Sequence, residues 1–301
     1  VCIYHDFAFL WVISDVLPVH ARKPIFGYRA IAYSSLAISF LGLIVWAHHM
    51  FTSGTPGWLR IFFMAATMLI AVPTGIKIFS WCATIWGGKL NLNTAMCFGV
   101  GFIATFLVGG LTGVMLSSVT FDIHVHDTYF VVGHFHYVLF GGAAMGLFAG
   151  FYHWFPKMTG RMINETLGRA HFILLFIGLN ITFLPMHELG LLGMNRRIAL
   201  YDIQFQPLNQ ICTLGAYILA LSSLPFVINM FVSLTKGEKA SRNPWRAFTL
   251  EWQTSSPPAI ENFDEEPVLW AGPYDYGTDS EGVDAEESVE DILAEVGANS
   301  K

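Results

Sequence analysis

The chain has 301 residues, 54% hydrophobic and only 13% charged, with a mean hydropathy of +0.52. Soluble domains carry about 25% charged residues, so a wholly water-facing surface is excluded. The net charge of −6 is set at the C-terminal end, where 13 of the 22 acidic residues lie between Glu261 and Lys301; the pI near 6.0 follows from that tail and by itself says nothing about nucleic acid, which is not an expected partner.

A helix that crosses a bilayer needs about 20 mostly apolar residues. In chain order the sequence predicts the end of a preceding helix at 7–19, then spans at 28–52, 59–86, 95–118, 128–153, 168–190 and 209–234. Turn residues separate them, as in Gly54-Thr55-Pro56-Gly57, Gly87-Gly88-Lys89 and Pro156-Lys157-Met158-Thr159-Gly160. The predicted fold class is therefore all-α, a polytopic transmembrane helix bundle in the lipid bilayer. Its predicted organisation is 1–20 as the end of a preceding helix with an atypical start, 21–245 as the membrane helices, and 246–301 as a polar, acidic, largely disordered tail. The first residues carry no signal-peptide pattern.

Alternate crossings place Arg22, Lys23, Arg29, Lys89, Lys157, Arg161, Arg169, Lys236, Lys239, Arg242 and Arg246 on one side, and Arg60, Arg196 and Arg197 on the other. Eleven basic residues against three predict the first side to be cytoplasmic, together with both termini. The loops at 53–58, 119–127 and 188–208 then face outward. Cys2, Cys82, Cys97 and Cys212 form no CxxC pair and are read as packing residues rather than disulfides.

Polar side chains inside a membrane are costly, and each is a functional hypothesis. The run Val131-Val132-Gly133-His134-Phe135-His136-Tyr137 lies in an apolar span. Successive helical residues are about 100° apart, so His134 and His136 point to opposite sides. Each suits a different metal, for example two hemes flanking one helix; hydrogen bonding to neighbouring helices is the open alternative. In Trp46-Ala47-His48-His49-Met50 the adjacent histidines can reach one metal, with a third ligand from elsewhere, or can form an interfacial pair without metal. Lys77, with Thr74 one turn earlier in Pro73-Thr74-Gly75-Ile76-Lys77, suits either proton relay or snorkelling to the interface. His126-Asp127 can hold a hard divalent ion. Arg196-Arg197 suits carboxylates such as heme propionates, or is an ordinary surface pair.

Three runs, Trp46-Ala47-His48-His49-Met50-Phe51-Thr52, Pro73-Thr74-Gly75-Ile76-Lys77 and His126-Asp127-Thr128-Tyr129-Phe130-Val131-Val132-Gly133-His134-Phe135-His136-Tyr137, stand here in an order that resembles the heme–copper oxidase family, as cytochrome c oxidase subunit I. The resemblance runs from about Ile13 to Tyr276 and is closest to bacterial, especially cyanobacterial, members. It implies the last six of the family's twelve helices. By this resemblance His134 is the axial ligand of a high-spin heme a3 and His136 an axial ligand of a low-spin heme a. His48 and His49 bind copper B, Lys77 and Thr74 line a proton channel, His126 and Asp127 bind magnesium, and Arg196 and Arg197 hold heme propionates. The implied cofactors are heme A, copper and magnesium. The implied partners are oxidase subunits II and III and cytochrome c, in a bacterial plasma or thylakoid membrane. The implied reaction is reduction of dioxygen to water, coupled to proton pumping.

Val1 to Trp11 departs from the family. A His-Pro-x-x-Tyr run, which the resemblance implies for a third copper histidine and a tyrosine, is not present; Tyr4 and His5 stand in a different order. A frameshift or misassembled start is one explanation. With the first half of the subunit absent, the chain is expected to be a C-terminal fragment that is inactive alone. The alternatives are a quinol oxidase of the same superfamily, a non-functional gene fragment, or a transporter with intramembrane histidines.

Overall fold

The computed structural model describes residues 2–263, 267 and 272–276. Helix α1 spans Cys2–Ala21, α2 Tyr28–Gly42, α3 Gly57–Ile85, α4 Thr94–Ser117 and the short α5 Val119–Val125. They are followed by α6 Tyr129–Val138, α7 Met145–Thr159, α8 Glu165–Leu191 and α9 Gln206–Lys236. Five helical stretches are long and apolar enough to cross a membrane: Gly57–Ile85, Thr94–Ser117, Tyr129–Thr159, Glu165–Leu191 and Ile203–Lys236.

The expected span at 28–52 is not one helix. α2 stops at Gly42, and His48 and His49 ride on a separate 3₁₀ turn, Trp46–Met50. Gly42 and the β-branched Ile44 and Val45 are weak helix formers. The chain tightens there through Leu43 N–Phe40 O and Ile44 N–Leu41 O bonds of 3.2 and 3.0 Å. The expected span at 128–153 is interrupted as well. Residues Leu139–Ala144 form a π-helical turn between α6 and α7. Thr105 Oγ1 of α4 reaches into that turn and donates to the Gly141 carbonyl at 2.8 Å, so the widened turn is held by a neighbouring side chain.

α4 is the central helix. It packs against α1, α3, α6, α7 and α8, while α8 pairs with α9 and α2 with α3. Phe98, Phe102, Trp81, Tyr137 and Tyr152 fill the main core. α9 is patterned inside out. Ser222, Asn229 and Ser233 are buried, whereas Leu214, Leu221 and Phe231 are exposed. The buried set is satisfied internally: Asn229 accepts from Asn164 N at 3.1 Å and from Ser233 Oγ at 2.8 Å, and donates to Asn164 O at 2.9 Å. A membrane protein must satisfy polar groups in this way, because lipid offers them no partner.

Small residues set the α8–α9 distance. A Cβ on Gly178 would meet the Leu219 backbone nitrogen at 2.7 Å, and one on Gly215 would meet the Ile181 carbonyl carbon at 2.7 Å. Such backbone approach is how membrane helices gain packing energy.

The stretch after Trp245 was expected as a polar tail. Its first part instead packs on the bundle, with Ala247, Phe248 and Trp252 buried. Lys157 anchors it by donating to the carbonyls of Arg242 and Thr254 at 2.9 and 2.7 Å. Trp245 Nε1 donates to His153 O at 2.8 Å, and Tyr276 is fully buried. Aromatic residues within an otherwise polar sequence supply the apolar contact. The acidic stretch beyond Tyr276, expected to be disordered, lies outside the described residues, as do Val1 and the side chains of Tyr4 and His5. Cys82, Cys97 and Cys212 are free; of these three only Cys212 is a buried packing residue, Cys97 is half-buried, and Cys82 is exposed on α3. Apolar sequence surroundings do not mark the core side of a helix whose outer face is also apolar.

Gly215→Leu should separate α8 from α9 and cost about 1–3 kcal/mol, the usual penalty for overpacking. Gly110→Ala, where nothing lies within 4 Å, should be neutral or stabilise by up to about 1 kcal/mol. Unfolding of detergent-solubilised protein, followed by helical circular dichroism, measures both.

Candidate functional site

The site is organised around α6. His134 Nδ1 donates to the Gly109 carbonyl of α4 at 3.0 Å, and Thr112 Oγ1 lies 3.1 Å from the same nitrogen. The ring reaches α4 because Gly113 has no side chain: a Cβ there would sit 3.0 Å from His134 Cε1. His136 Nδ1 donates to Val132 O, one turn back, at 2.8 Å. Its ring stacks on Phe183 of α8, with centroids 4.1 Å apart and planes 11° apart. The two histidines thus face different neighbours, as their spacing predicts. In both, the proton sits on Nδ1 and Nε2 carries the lone pair. That is the tautomer an axial metal ligand needs, with the second nitrogen oriented by a hydrogen bond. Their donor chemistry therefore fits heme iron.

His48 and His49 converge on one point. Their Nε2 atoms are 3.0 Å apart. Two ligands bound at 2.0–2.1 Å with a tetrahedral angle would stand about 3.3 Å apart, so little movement is required. Thr67 Oγ1 of α3 lies 3.3 Å from His48 Nδ1 and orients that ring. His134 lies within electrostatic reach of both His48 and His49. Among the described residues, no group of three or more His, Cys, Asp or Glu gathers to hold a metal ion. The donor chemistry of the pair fits two ligands of one metal ion.

Lys77 is 1% exposed, with Nζ 6.0 Å from the Trp81 ring centroid. Its side chain is packed inside the protein and leans toward Trp81, one turn further along α3. No hydrogen bond joins it to Thr74, whose Oγ1 donates to Ile70 O at 2.9 Å. Trp81 Nε1 donates to Ser14 Oγ at 3.1 Å, which ties α3 to α1 beside Lys77.

A second cluster caps the α6 N-terminus. His126 Nδ1 pairs with Asp122 Oδ2 at 2.9 Å, while His126 Nε2 is 3.8 Å from Asp127 Oδ2. Arg196 grips Asp127 through Nε at 2.7 Å and through Nη2. The backbone repeats the clasp: Arg196 N donates to Asp127 O at 2.8 Å, and Tyr129 N to Met194 O at 3.0 Å. Hydrogen bonding to Arg196 holds the Asp127 carboxyl below its ordinary range. Burial raises that of Asp122, partly opposed by His126. Arg197 is exposed, at φ 62°, and makes no hydrogen bond with a described residue. Asp127 therefore already serves a structural ion pair, and His126 with Asp127 fits a magnesium site only in part.

Sequence reasoning missed Asp122, Thr67, Thr112 and His187. Asp122 stands four residues before His126, a helical pairing distance that was available as a signal. Thr67 and Thr112 act across helices, and no sequence spacing announces them.

Comparison with known proteins gives the family. The model described as cytochrome C and quinol oxidase polypeptide I matches residues 4–218. A cytochrome c oxidase subunit 1 from Synechocystis sp. is 77% identical over 95% of this chain and 52% of its own length. One from Thermostichus vulcanus is 64% identical over 88% of this chain and 48% of its own. The chain thus spans about half the length of these curated relatives. The cryo-EM structure of a heme-copper terminal oxidase dimer shares the fold, with a TM-score of 0.67, 17% identity, and coverage of 97% of this chain and 61% of that one. With five membrane-length helices and this match across most of its residues, the chain is an integral membrane protein and belongs to the cytochrome c and quinol oxidase polypeptide I family.

Proposed function

We propose that this chain carries part of the dioxygen-reducing centre of a terminal respiratory oxidase, which takes electrons from cytochrome c and pumps protons. One observation carries the reading: α6 presents His134 and His136 to different neighbours, each with Nδ1 tied to a backbone carbonyl and Nε2 open. His134 holds the high-spin heme a3 and His136 the low-spin heme a. His48 and His49 are two of the ligands of copper B, with Nε2 atoms already converged. When bound, the hemes and copper supply the electron transfer and the dioxygen chemistry. The protein's own groups orient these ligands, exclude water and deliver protons.

Lys77 is a proton-relay group. It is buried near the Trp81–Ser14 pair, where a charge has no solvent to stabilise it and can be passed on. Thr74 lies one turn away on the same helix. Arg196 and Arg197 hold heme propionates in this reading, and Arg196, at the start of α6, already shows its fit to carboxylate by gripping Asp127. His126 and Asp127 contribute to a magnesium site whose other ligands come from a partner, by the family resemblance subunit II. Subunit III and heme A follow from the same resemblance, and a quinol donor is the alternative to cytochrome c.

The membrane is a bacterial plasma or thylakoid membrane. Lys23, Lys157 and Arg161 cap backbone carbonyls at one end of the bundle, and the basic excess supports a cytoplasmic assignment for that end. Residues 21–245 are the membrane part, and 246–301 lie on the cytoplasmic side.

The test is co-expression with the missing half of the subunit and its partners, followed by heme spectra. In that assembly His134→Ala should abolish dioxygen reduction. His136→Ala should remove the low-spin heme absorbance; retention of that absorbance refutes its assignment. Lys77→Met should leave both hemes bound and slow turnover about tenfold or more, by analogy with the loss of one positioned proton-transfer group. Unchanged turnover rules out the relay.

A further inference from the structure

His187 is a buried imidazole to which the proposed chemistry gives no part. It lies on α8 at 9% exposure. Its ring covers Gly133 of α6, where a Cβ would come within 2.9 Å of both Cε1 and Nδ1. Phe130 meets the ring edge-on, with centroids 5.0 Å apart, and Tyr137 sits on its other side at 5.6 Å. The seam is therefore apolar and tight. Nδ1 lies 3.3 Å from the Leu184 carbonyl, which places the proton on Nδ1. Nε2 is then a bare acceptor, and it has no partner. Among the described residues, only Trp252 Nε1 shares that condition. A buried polar atom without a partner is rare enough to require a reason.

Gly133 immediately precedes His134 and stands three residues before His136. The unpartnered nitrogen thus sits on the strip of α6 between the two ligand faces. His134, not His136, has His187 among its electrostatic neighbours.

We infer that His187 is a positioning residue for the heme held by His134, its Nε2 accepting a hydrogen bond from an O–H group that arrives with the cofactor. This rests on the heme reading above. A neutral acceptor requires a donor, so the partner is an ordered water beside the heme or a hydroxyl of the heme itself. Either would satisfy Nε2 and hold the heme in register with the α6–α8 seam. Within the α6–α8 seam no protein group among the described residues supplies that hydrogen bond.

The test uses the assembled oxidase with His187→Phe and His187→Gln. In the Phe variant both hemes should be present in full amount. An O–H band sensitive to ²H₂O should vanish from its redox-difference infrared spectrum. The reduction equilibrium of the heme at His134 should shift about threefold, roughly 28 mV for one electron. The Gln variant keeps an acceptor and should recover much of both signals. A band that also moves in H₂¹⁸O identifies water; one that does not identifies a heme hydroxyl. Full heme with an unchanged band and unchanged potential overturns the inference, as does a shift confined to the heme at His136. Should neither variant assemble, ¹⁵N-histidine spectra of the reduced, carbon-monoxide-bound wild type decide: a bare Nε2 on His187 overturns it, and a hydrogen-bonded Nε2 upholds it. Wild-type oxidase without heme would instead defeat the heme reading, and this inference with it.

Discussion

The hydrogen bonds from His134 to Gly109 O and from His136 to Val132 O are the interactions on which the rest depends. A neutral imidazole has one proton and two nitrogens, so a bond that captures the proton at Nδ1 also decides that Nε2 offers its lone pair. Backbone carbonyls are the suitable partners here, since they accept and cannot donate. The His134 bond needs α4 to come very close. A Cβ on Gly109 would strike Val138 Cγ2 at 2.9 Å, so this glycine sets the α4–α6 distance. The carbonyl that fixes the tautomer and the glycine that permits its approach are the same residue.

Membrane burial explains why these features coexist. Lipid satisfies no polar group, so each side chain that is polar and internal must find a protein partner or a bound group. Asn229, Ser233 and Asn164 form a closed set. Tyr137 donates to Asn180 at 2.7 Å, and Tyr152 pairs with His171 at 3.0 Å. Against that background His187 Nε2 stands out, and so does the open Nε2 of His134 and of His136, the two residues proposed to hold heme. The pattern separates polar groups that build the bundle from those that await something else.

The sequence shows the helices well and their interruptions poorly. Five stretches of apolar residues were readable because a bilayer demands length and apolarity over a continuous run. The opposite facing of His134 and His136 follows from helical periodicity alone. The break after Gly42 was not readable, because Leu43, Ile44 and Val45 are as apolar as a span requires. The π turn at Leu139–Ala144 depends on Thr105, a residue 36 positions away from Gly141. The docking of Phe248 and Trp252 was hidden by the polar residues around them. In each case a non-local partner, or a local helix weakness within an apolar run, decided the outcome.

α6 is short, and both of its ends are pinned. At the start, Asp127 is gripped by Arg196 and Tyr129 N bonds to Met194 O at 3.0 Å. At the finish, the π turn is fastened to α4 through Gly141 O. The turn matters because a helix that slips by one residue rotates by about 100°. Such a slip would carry His134 off the Gly109 carbonyl and turn His136 off Phe183. A π turn absorbs an extra residue locally, so α7 can keep its own packing while α6 keeps the register its histidines require. Asp127 and Arg196 are therefore not only candidates for ion or propionate binding. Their clasp fixes the rotational setting of the segment that presents both imidazoles.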